Sequence, residues 1–341
     1  MNRFDVSVIM GAFNSEKFLA EAIRSILKQE SVSFEFIIVD DGSTDATAEI
    51  IRKFHDVRIK LVSNDTNRGL AYSLNRAIEL TSGEFIACMD ADDIANKKRL
   101  KTQVDFLRKR DDVDLCGTFV TNIPFSPVAT AKSLLLSPPL SHEDIRATFL
   151  WYCPITHPSV MFRRDVFLRN NIRYDESFRR AQDYDLWTRI VDVVNMEILP
   201  RRLLKYRVHS GQASAVAACE QSRNARIIRE RYLGRLGDFS QKEIEVFQCL
   251  SERKPADNKD DFLAYVSILN NLYSLNTEKG VFSSTSFNRQ LNRQLLRISA
   301  ASSHLGTRVW RECRNQILFF DKLDKMAARF LDAIFACGFT V

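Results

Sequence analysis

Short apolar runs alternate with helical patterns along the first ninety residues. "VSVIM" (6–10), "FEFIIVD" (34–40), "VRIKLV" (57–62) and "EFIACMD" (84–90) are β-branched or aromatic and nearly continuously apolar, the pattern of strands buried on both faces. Between them, "SEKFLAEAIRSILKQ" (15–29), "TDATAEIIRKF" (44–54) and "LAYSLNRAIEL" (70–80) place apolar residues at i, i+3 and i+4, with Ser15 or Thr44 available as helix caps. The order βαβαβαβ predicts an α/β fold with a mostly parallel, doubly wound sheet flanked by helices.

Ligands of such sheets bind beyond the carboxyl ends of the strands. The four runs are followed by Gly11-Ala12-Phe13-Asn14, Asp40-Asp41-Gly42-Ser43-Thr44-Asp45, Asn64-Asp65-Thr66-Asn67-Arg68-Gly69 and Asp90-Ala91-Asp92-Asp93, so acids and amides crowd one edge. Turn and cap chemistry alone accounts for Asp40 to Asp45 as well as ligand chemistry does. It accounts less well for "CMDADDI" (88–94), where three carboxylates occupy four positions directly after an apolar run. Like charges packed that closely repel, so a cation belongs among them. A hard divalent ion carrying a diphosphate, Mg²⁺ or Mn²⁺, suits oxygen ligands at a strand end. Solvated acids capping a helix that starts near Asn96 are the alternative.

The order "VSVIMGAFNSEKFLAEAIRSIL", "FEFIIVDDGSTDAT", "NRGLAYSLNRAI" and "GEFIACMDADD" resembles glycosyltransferase family 2, over about residues 4–210. The resemblance implies a GT-A fold and an inverting enzyme that uses a nucleotide-diphosphate sugar. It implies that Ala12 and Asn14 lie near the nucleotide, Asp41 reads the base, Arg68 lines the nucleotide pocket, Asp90 contacts ribose and Asp92 binds metal, with Asp93 the weaker ligand. Arg180-Ala181-Gln182-Asp183-Tyr184-Asp185-Leu186-Trp187 is similar to the family's "EDYDLW"-type segment and makes Asp183 the catalytic base; Gln182 stands where the family has Glu. In "LLKYRVHSGQAS" (203–214) the resemblance suggests a segment closing on the diphosphate, with Arg207 contacting phosphate and His209 a further metal ligand. Two residues apart in an extended segment, they share a side. "ITHPSVMFRRDVF" (155–167) is similar to a strand and helix entry on the acceptor side, where His157 reads more readily as structural.

The remaining sequence changes the picture in three ways. "TNIPFSPVATAKSLLLSPPL" (121–140) holds four of the eight prolines and no clear period, which predicts a long loop over the site. Residues 1–214 carry 30 basic against 29 acidic side chains, and 215–341 carry 19 against 14, so the formal net charge of +6 is concentrated in the second part. That gives two expected domains, a GT-A domain at 1–214 and a basic helical extension at 215–341. Within the extension, Arg289, Arg293 and Arg297 share a helical face, and Leu323, Ala327, Phe330 and Ile334 make an apolar stripe. This tail suits either packing on its own protein or an anionic membrane surface, where a lipid-linked glycan acceptor would meet the enzyme.

Several function classes fall away. No run approaches the roughly 18 residues of a membrane span, and "MNRFDVSVIM" lacks a signal-peptide pattern. Seven cysteines without a CxxC pair argue against a zinc site or a disulfide framework and for a reducing cytoplasm, with peripheral contact at the inner face of the plasma membrane possible. A nearly neutral catalytic part without basic and aromatic interleaving disfavours nucleic acid. The expected activity is transfer from a UDP-sugar to a hydroxyl of a glycan in a bacterial surface polysaccharide. A sugar nucleotidyltransferase, which should carry a Gly-rich basic loop after its first strand, and a non-catalytic sugar-nucleotide-binding module are the rivals.

Overall fold

The computed structural model describes residues 4–123, 139–209 and 217–319. In chain order its first elements are β1 (Phe4–Ala12), α1 (Leu19–Leu27), β2 (Phe34–Asp40), α2 (Thr47–Arg52), β3 (Ile59–Ser63), α3 (Leu70–Glu79), β4 (Gly83–Cys88), β5 (Ile94–Ala95), α4 (Arg99–Lys109) and β6 (Leu115–Ile123). They are followed by α5 (His142–Thr148), β7 (Met161–Arg163), α6 (Arg164–Arg169), α7 (Gln182–Ile190) and β8 (Met196–Arg207). The helices α8 (Ala218–Leu233), α9 (Gln241–Ser251), α10 (Lys259–Lys279), α11 (Ser284–Ala301) and α12 (Gly306–Arg314) complete the described chain.

Eight strands form one sheet in the order β3-β2-β1-β4-β7-β6-β8-β5. The half built from the alternating runs is parallel, with Val8 opposite Phe36 on one side and Ala87 on the other. Beyond β4 the sheet is mixed: β7 runs antiparallel to β4 and β6, β8 runs parallel to β6, and β5 runs antiparallel to β8. Val6, Val8 and Met10 of β1, Phe34, Phe36 and Ile38 of β2 and Phe85 of β4 pack with Leu19, Ile23 and Ile26 of α1 and Leu100, Val104 and Leu107 of α4. Each such fully buried side chain contributes about 1.5–3 kcal/mol, which pins the strand ends that carry the acids.

Four expectations need correction. The third run forms the sheet edge and no residue of it is fully buried, because an edge strand has a partner on one side only. Ser15 and Thr44 do not cap helices; α1 starts at Leu19 and α2 at Thr47, neither with a side-chain cap. Their polar groups instead tie the loops after β1 and β2 together: the Ser15 amide donates to Thr47 Oγ1 (2.7 Å) and the Thr44 amide to Asn14 Oδ1 (2.9 Å). The helix placed near Asn96 begins at Arg99, after the short strand β5. Residues 121–123 of the expected loop belong to β6, where the strand partner β8 continues to pair with them; of the rest, 124–138 lie outside the described residues, and the Leu140 carbonyl accepts from the Ile198 amide (2.9 Å).

The chain divides into two compact units, Met1–Ile145 with Cys153–Ala225, and Arg146–Tyr152 with Arg226–Val341. The second is helical. Ser240 and Glu243 form a reciprocal capping box on α9, Asn258 caps α10, and α10 ends at Gly280, whose φ of 63° is the left-handed conformation that favours glycine. Inside this unit the Trp151 and Phe247 rings lie 5.2 Å apart. On α11, Arg289 is exposed whereas Arg293 and Arg297 are half-buried, so the three do not present one solvated row. The apolar stripe expected at 323–334 lies outside the described residues. Among the described residues no helix is long and apolar enough to cross a membrane.

Candidate active site

The neighbouring ends of β2, β1 and β4 bring most of the expected residues to one edge. After β1 and β2, the Ala12 carbonyl accepts from the Asp41 amide (2.8 Å), and the Asn14 amide donates to Ser43 Oγ (3.0 Å). Gly42 is needed here twice over: its φ is 71°, and an added Cβ would stand 2.7 Å from the Thr66 backbone. Asp41 is buried, and its carboxylate accepts from Asn64 Nδ2 (2.6 Å), the Arg68 amide (2.9 Å) and the Gly69 amide (2.8 Å). Those bonds hold the loop that opens α3. They also place Arg68, whose guanidinium lies 4.0 Å over the Tyr72 ring, on a polar cavity of about 320 Å³ shared with Asn64, Asp65 and Arg76.

The β4–β5 loop is built differently. Carboxylate oxygens of Asp90, Asp92 and Asp93 lie within 4.8 Å of one another. Asp93 is wholly buried; its Oδ1 accepts from the Arg207 amide (2.8 Å), while Oδ2 has no partner. Burial, with the Asp90 charge second, pushes its pKa up to about 8, and the same two causes raise that of Asp92. Part of the positive charge that the sequence demanded is Arg99. It is completely buried at the start of α4, donates to the Cys88 carbonyl (2.8 Å), and is pushed by burial down to about 10.

β8 delivers the other side of this loop. Arg207 Nε donates to the Asp92 carbonyl (2.7 Å) and His209 Nε2 lies 2.9 Å from Asp92 Oδ2, so both residues reach one loop from one side of the strand. The Arg207 guanidinium also pairs with Glu21 (2.6 Å) and stacks 4.3 Å over the Phe18 ring. To contact a phosphate it would exchange the Glu21 carboxylate for the ligand.

Behind Asp90 stands His157, buried, with Nδ1 3.4 Å from Asp90 Oδ1 and Nε2 2.9 Å from the Tyr174 hydroxyl. Burial alone would lower its pKa; the Cys88 and Asp90 groups outweigh burial and raise it well above the ordinary value. Tyr174 is held by two bonds to the Asn75 side chain on α3, both 2.9 Å. Asp183, half-buried in the first turn of α7, is close enough to feel the charges of His157 and Asp90; burial raises its pKa, and His157 opposes the rise. Ala181 just before it has a φ of 57°, a left-handed conformation that costs a non-glycine residue roughly 1–3 kcal/mol and turns the chain into α7. Asp185 points away, fully buried, with Oδ2 2.8 Å from Arg189 Nε.

The sequence singled out Asp90, Asp92, Asp183, Arg207 and His209; the structure sets Asp90 beside Asp92 and joins Asp92 to Arg207 and His209, while Asp183 feels the charge of Asp90. His157 reads from sequence as a structural histidine, Asp93 as a marginal ligand, and Arg99, Tyr174 and Glu21 carry no motif signal. A histidine before proline and an arginine at a helix start look alike whether or not a carboxylate is folded against them.

The chain's sheet and helices have the fold of the S. aureus TarS 1–349 structure in complex with UDP-GlcNAc, with a TM-score of 0.57 and 18% identity over 96% of this chain and 90% of that one. That architecture is the GT-A fold of glycosyltransferases. The family model described as Glycosyl transferase family 2 matches residues 7–169. An uncharacterized glycosyltransferase of Haemophilus influenzae is 32% identical over 243 residues, 68% of this chain and 75% of its own length. The Escherichia coli enzyme named UDP-Glc:alpha-D-GlcNAc-diphosphoundecaprenol beta-1,3-glucosyltransferase is 35% identical over 119 residues, 35% of this chain and 47% of its own. The chain belongs to glycosyltransferase family 2.

Proposed function

We propose that this glycosyltransferase moves a sugar, with inversion, from a UDP-sugar to a hydroxyl of a glycan acceptor in the assembly of a bacterial surface polysaccharide. One observation supports the reading: the acid cluster after β4 meets His157 through Asp90 (3.4 Å), and the charges of both His157 and Asp90 act on the carboxylate of Asp183. Asp183 takes the proton of the acceptor hydroxyl as that oxygen bonds to the anomeric carbon, a role worth about 10²- to 10⁴-fold. Its raised pKa strengthens it as a base, and the half-buried position leaves a face for the acceptor. The bond from the anomeric carbon to the diphosphate breaks on the opposite face, and its electron pair leaves with the diphosphate. Ala12, Asn14, Asp41 and Arg68 form the nucleotide side, and Asp90 meets the ribose.

The residues of the β4–β5 loop fit a hard divalent cation. They offer oxygen donors within 4.8 Å, a buried carboxylate oxygen without a partner, and two acids whose ionisation burial disfavours. Asp92 with His209 would hold Mg²⁺ or Mn²⁺, which supplies positive charge for the departing diphosphate. Arg207 orients the loop through its bonds to Asp92 and Asp93. The diphosphoundecaprenol acceptor named for the E. coli relative supports a lipid-linked glycan here. Such an acceptor gives a cytoplasmic chain reason to visit the inner face of the plasma membrane by its basic C-terminal part. A panel of nucleotide sugars scored by release of nucleoside diphosphate, with and without excess chelator, tests the reading. Release from no donor, or full release in chelator, overturns the donor or the metal assignment respectively.

A further inference from the structure

Arg207 and His209 reach the Asp92 loop from the end of β8, and one side chain far from both in sequence lies against each of them. The Phe18 ring stands 4.3 Å from the Arg207 guanidinium, and its centre is 4.9 Å from that of the His209 ring. Phe18 immediately precedes α1, in the cap position where Ser, Thr, Asp or Asn would ordinarily bond the helix amides. The α1 residues Leu19, Ile23 and Ile26 pack into the core, whereas Phe18 stays half-buried, so core burial alone does not account for its ring. Three residues on, a neighbour along the same side of the helix, the exposed Glu21 pairs with Arg207 (2.6 Å).

The three contacts of Arg207 differ in permanence. Its Nε bond to the Asp92 carbonyl (2.7 Å) ends on backbone and stays with the loop. The Glu21 carboxylate faces solvent, so it returns to water at little cost, and phosphate oxygens can take its place on the guanidinium fork. Once Glu21 has left, the face of Phe18 still fixes the plane of that fork. The same ring packs against His209, whose Nε2 lies 2.9 Å from Asp92 Oδ2. One aromatic side chain thus sets the phosphate-contacting arginine and the metal-ligating histidine together, while the acid one turn along competes with the phosphate.

We propose that Phe18 is a positioning residue for the transfer reaction, holding Arg207 and His209 over Asp92, and that Glu21 is an internal stand-in for the donor diphosphate. Glu21 occupies the Arg207 fork until a phosphate displaces it, and reclaims the fork as the nucleoside diphosphate leaves. The inference rests on the roles proposed above for Arg207 and His209. It gives two residues of one helical turn opposite effects on diphosphate binding.

The test uses the full chain with Mn²⁺ and inorganic pyrophosphate, read by calorimetry, and with Mn²⁺ alone, read by electron paramagnetic resonance. Phe18→Leu, which keeps an apolar side chain and loses the ring, should bind Mn²⁺-pyrophosphate about three- to thirtyfold more weakly than the wild type, and Mn²⁺ alone more weakly too, through His209. Phe18→Tyr keeps the ring and should bind like the wild type. Glu21→Gln should bind Mn²⁺-pyrophosphate about two- to fivefold more tightly, the strength of a half-exposed ion pair, and Mn²⁺ alone unchanged, because the partner of Glu21 is Arg207. Thermal melting verifies that each variant is folded, and Phe18→Met replaces a Leu variant that is not. A residue with a merely structural role would shift the melting temperature without tightening binding. Equal affinities in the wild type, Phe18→Leu and Phe18→Tyr overturn the positioning role, and unchanged or weaker pyrophosphate binding by Glu21→Gln overturns the stand-in. Failure of the donor reading looks different: the variants keep this pattern while no nucleotide sugar releases its nucleoside diphosphate. A wild type that binds no Mn²⁺-pyrophosphate overturns both.

Discussion

The loop after β2 and the loop after β4 emerge two strands apart at the same sheet edge, and each carries adjacent aspartates, yet they treat charge in opposite ways. In the first, peptide N–H groups of Arg68 and Gly69 and the amide of Asn64 converge on Asp41, and its carboxylate becomes a strut that sets the course of the next loop. In the second, three carboxylates crowd together, one of them fully buried with an oxygen that has no donor, and burial pushes Asp92 and Asp93 toward the protonated form. A carboxylate supplied with enough donors is structural chemistry; one deprived of donors among other acids is ready for a cation. Asp183 shares the second character, since burial raises its pKa too.

Asp183→Asn should break that grouping most visibly. Transfer should fall by about 10²- to 10⁴-fold while binding of nucleoside diphosphate with metal survives. In the wild type, activity should decline as pH falls through the raised pKa of Asp183, because the base is then protonated, and the residual rate of the Asn variant should lose that acid limb. Near-normal transfer by the variant would move the base elsewhere; lost nucleotide binding would make Asp183 structural.

Asp92→Ala comes next. It should lower transfer by about 10²-fold at ordinary metal concentration, consistent with the several kcal/mol a bound cation supplies, and added Mn²⁺ should restore part of the loss. A variant whose activity ignores metal concentration would remove Asp92 from the cation site.

For Asp41→Asn the effect should be on the fold. Asparagine keeps one acceptor oxygen, and its NH2 takes the place of the other, so at least the Gly69 N–H loses its acceptor and denaturant unfolding should show a loss of about 1–3 kcal/mol. Unchanged stability with nucleotide binding lost would reverse the comparison and make Asp41 the base-reading group that the family resemblance implies.

The smallest effect concerns Asp93. Its folded-state pKa of about 8 lies above the ordinary 3.8, so between those values the folded chain binds more protons than the unfolded one, and this residue's contribution to stability falls as pH rises through that window. Asp93→Asn should flatten the decline of the melting temperature over that range, and added Mg²⁺ at the upper end should lessen it in the wild type. A wild-type profile already flat would mean that Arg99 compensates Asp93 fully.

The alternation of buried strands and amphipathic helices was legible in residues 6–90, because a two-faced parallel strand needs continuous apolar residues and a covering helix needs one apolar face. The same reasoning found the Asp90–Asp93 cluster and the pair Arg207 and His209, since both are local: one is three acids in four positions, the other a two-residue spacing on a strand. Tertiary structure alone decided which acids are satisfied. Asp41 and Asp93 are each the second aspartate of an adjacent pair after a strand, and nothing in their neighbours in sequence distinguishes them. What distinguishes them is which groups distant in sequence fold against each: for Asp41 the amides of a loop 27 and 28 residues later, and for Asp93 the amide of Arg207, 114 residues later, with Arg99 buried beneath. His157 likewise became part of the site when the sheet brought it beside Asp90, 67 positions earlier in the numbering. Hydrophobic periodicity records which face of an element is buried, whereas the electrostatics of a site depend on distances between elements, and those are set only when the core closes.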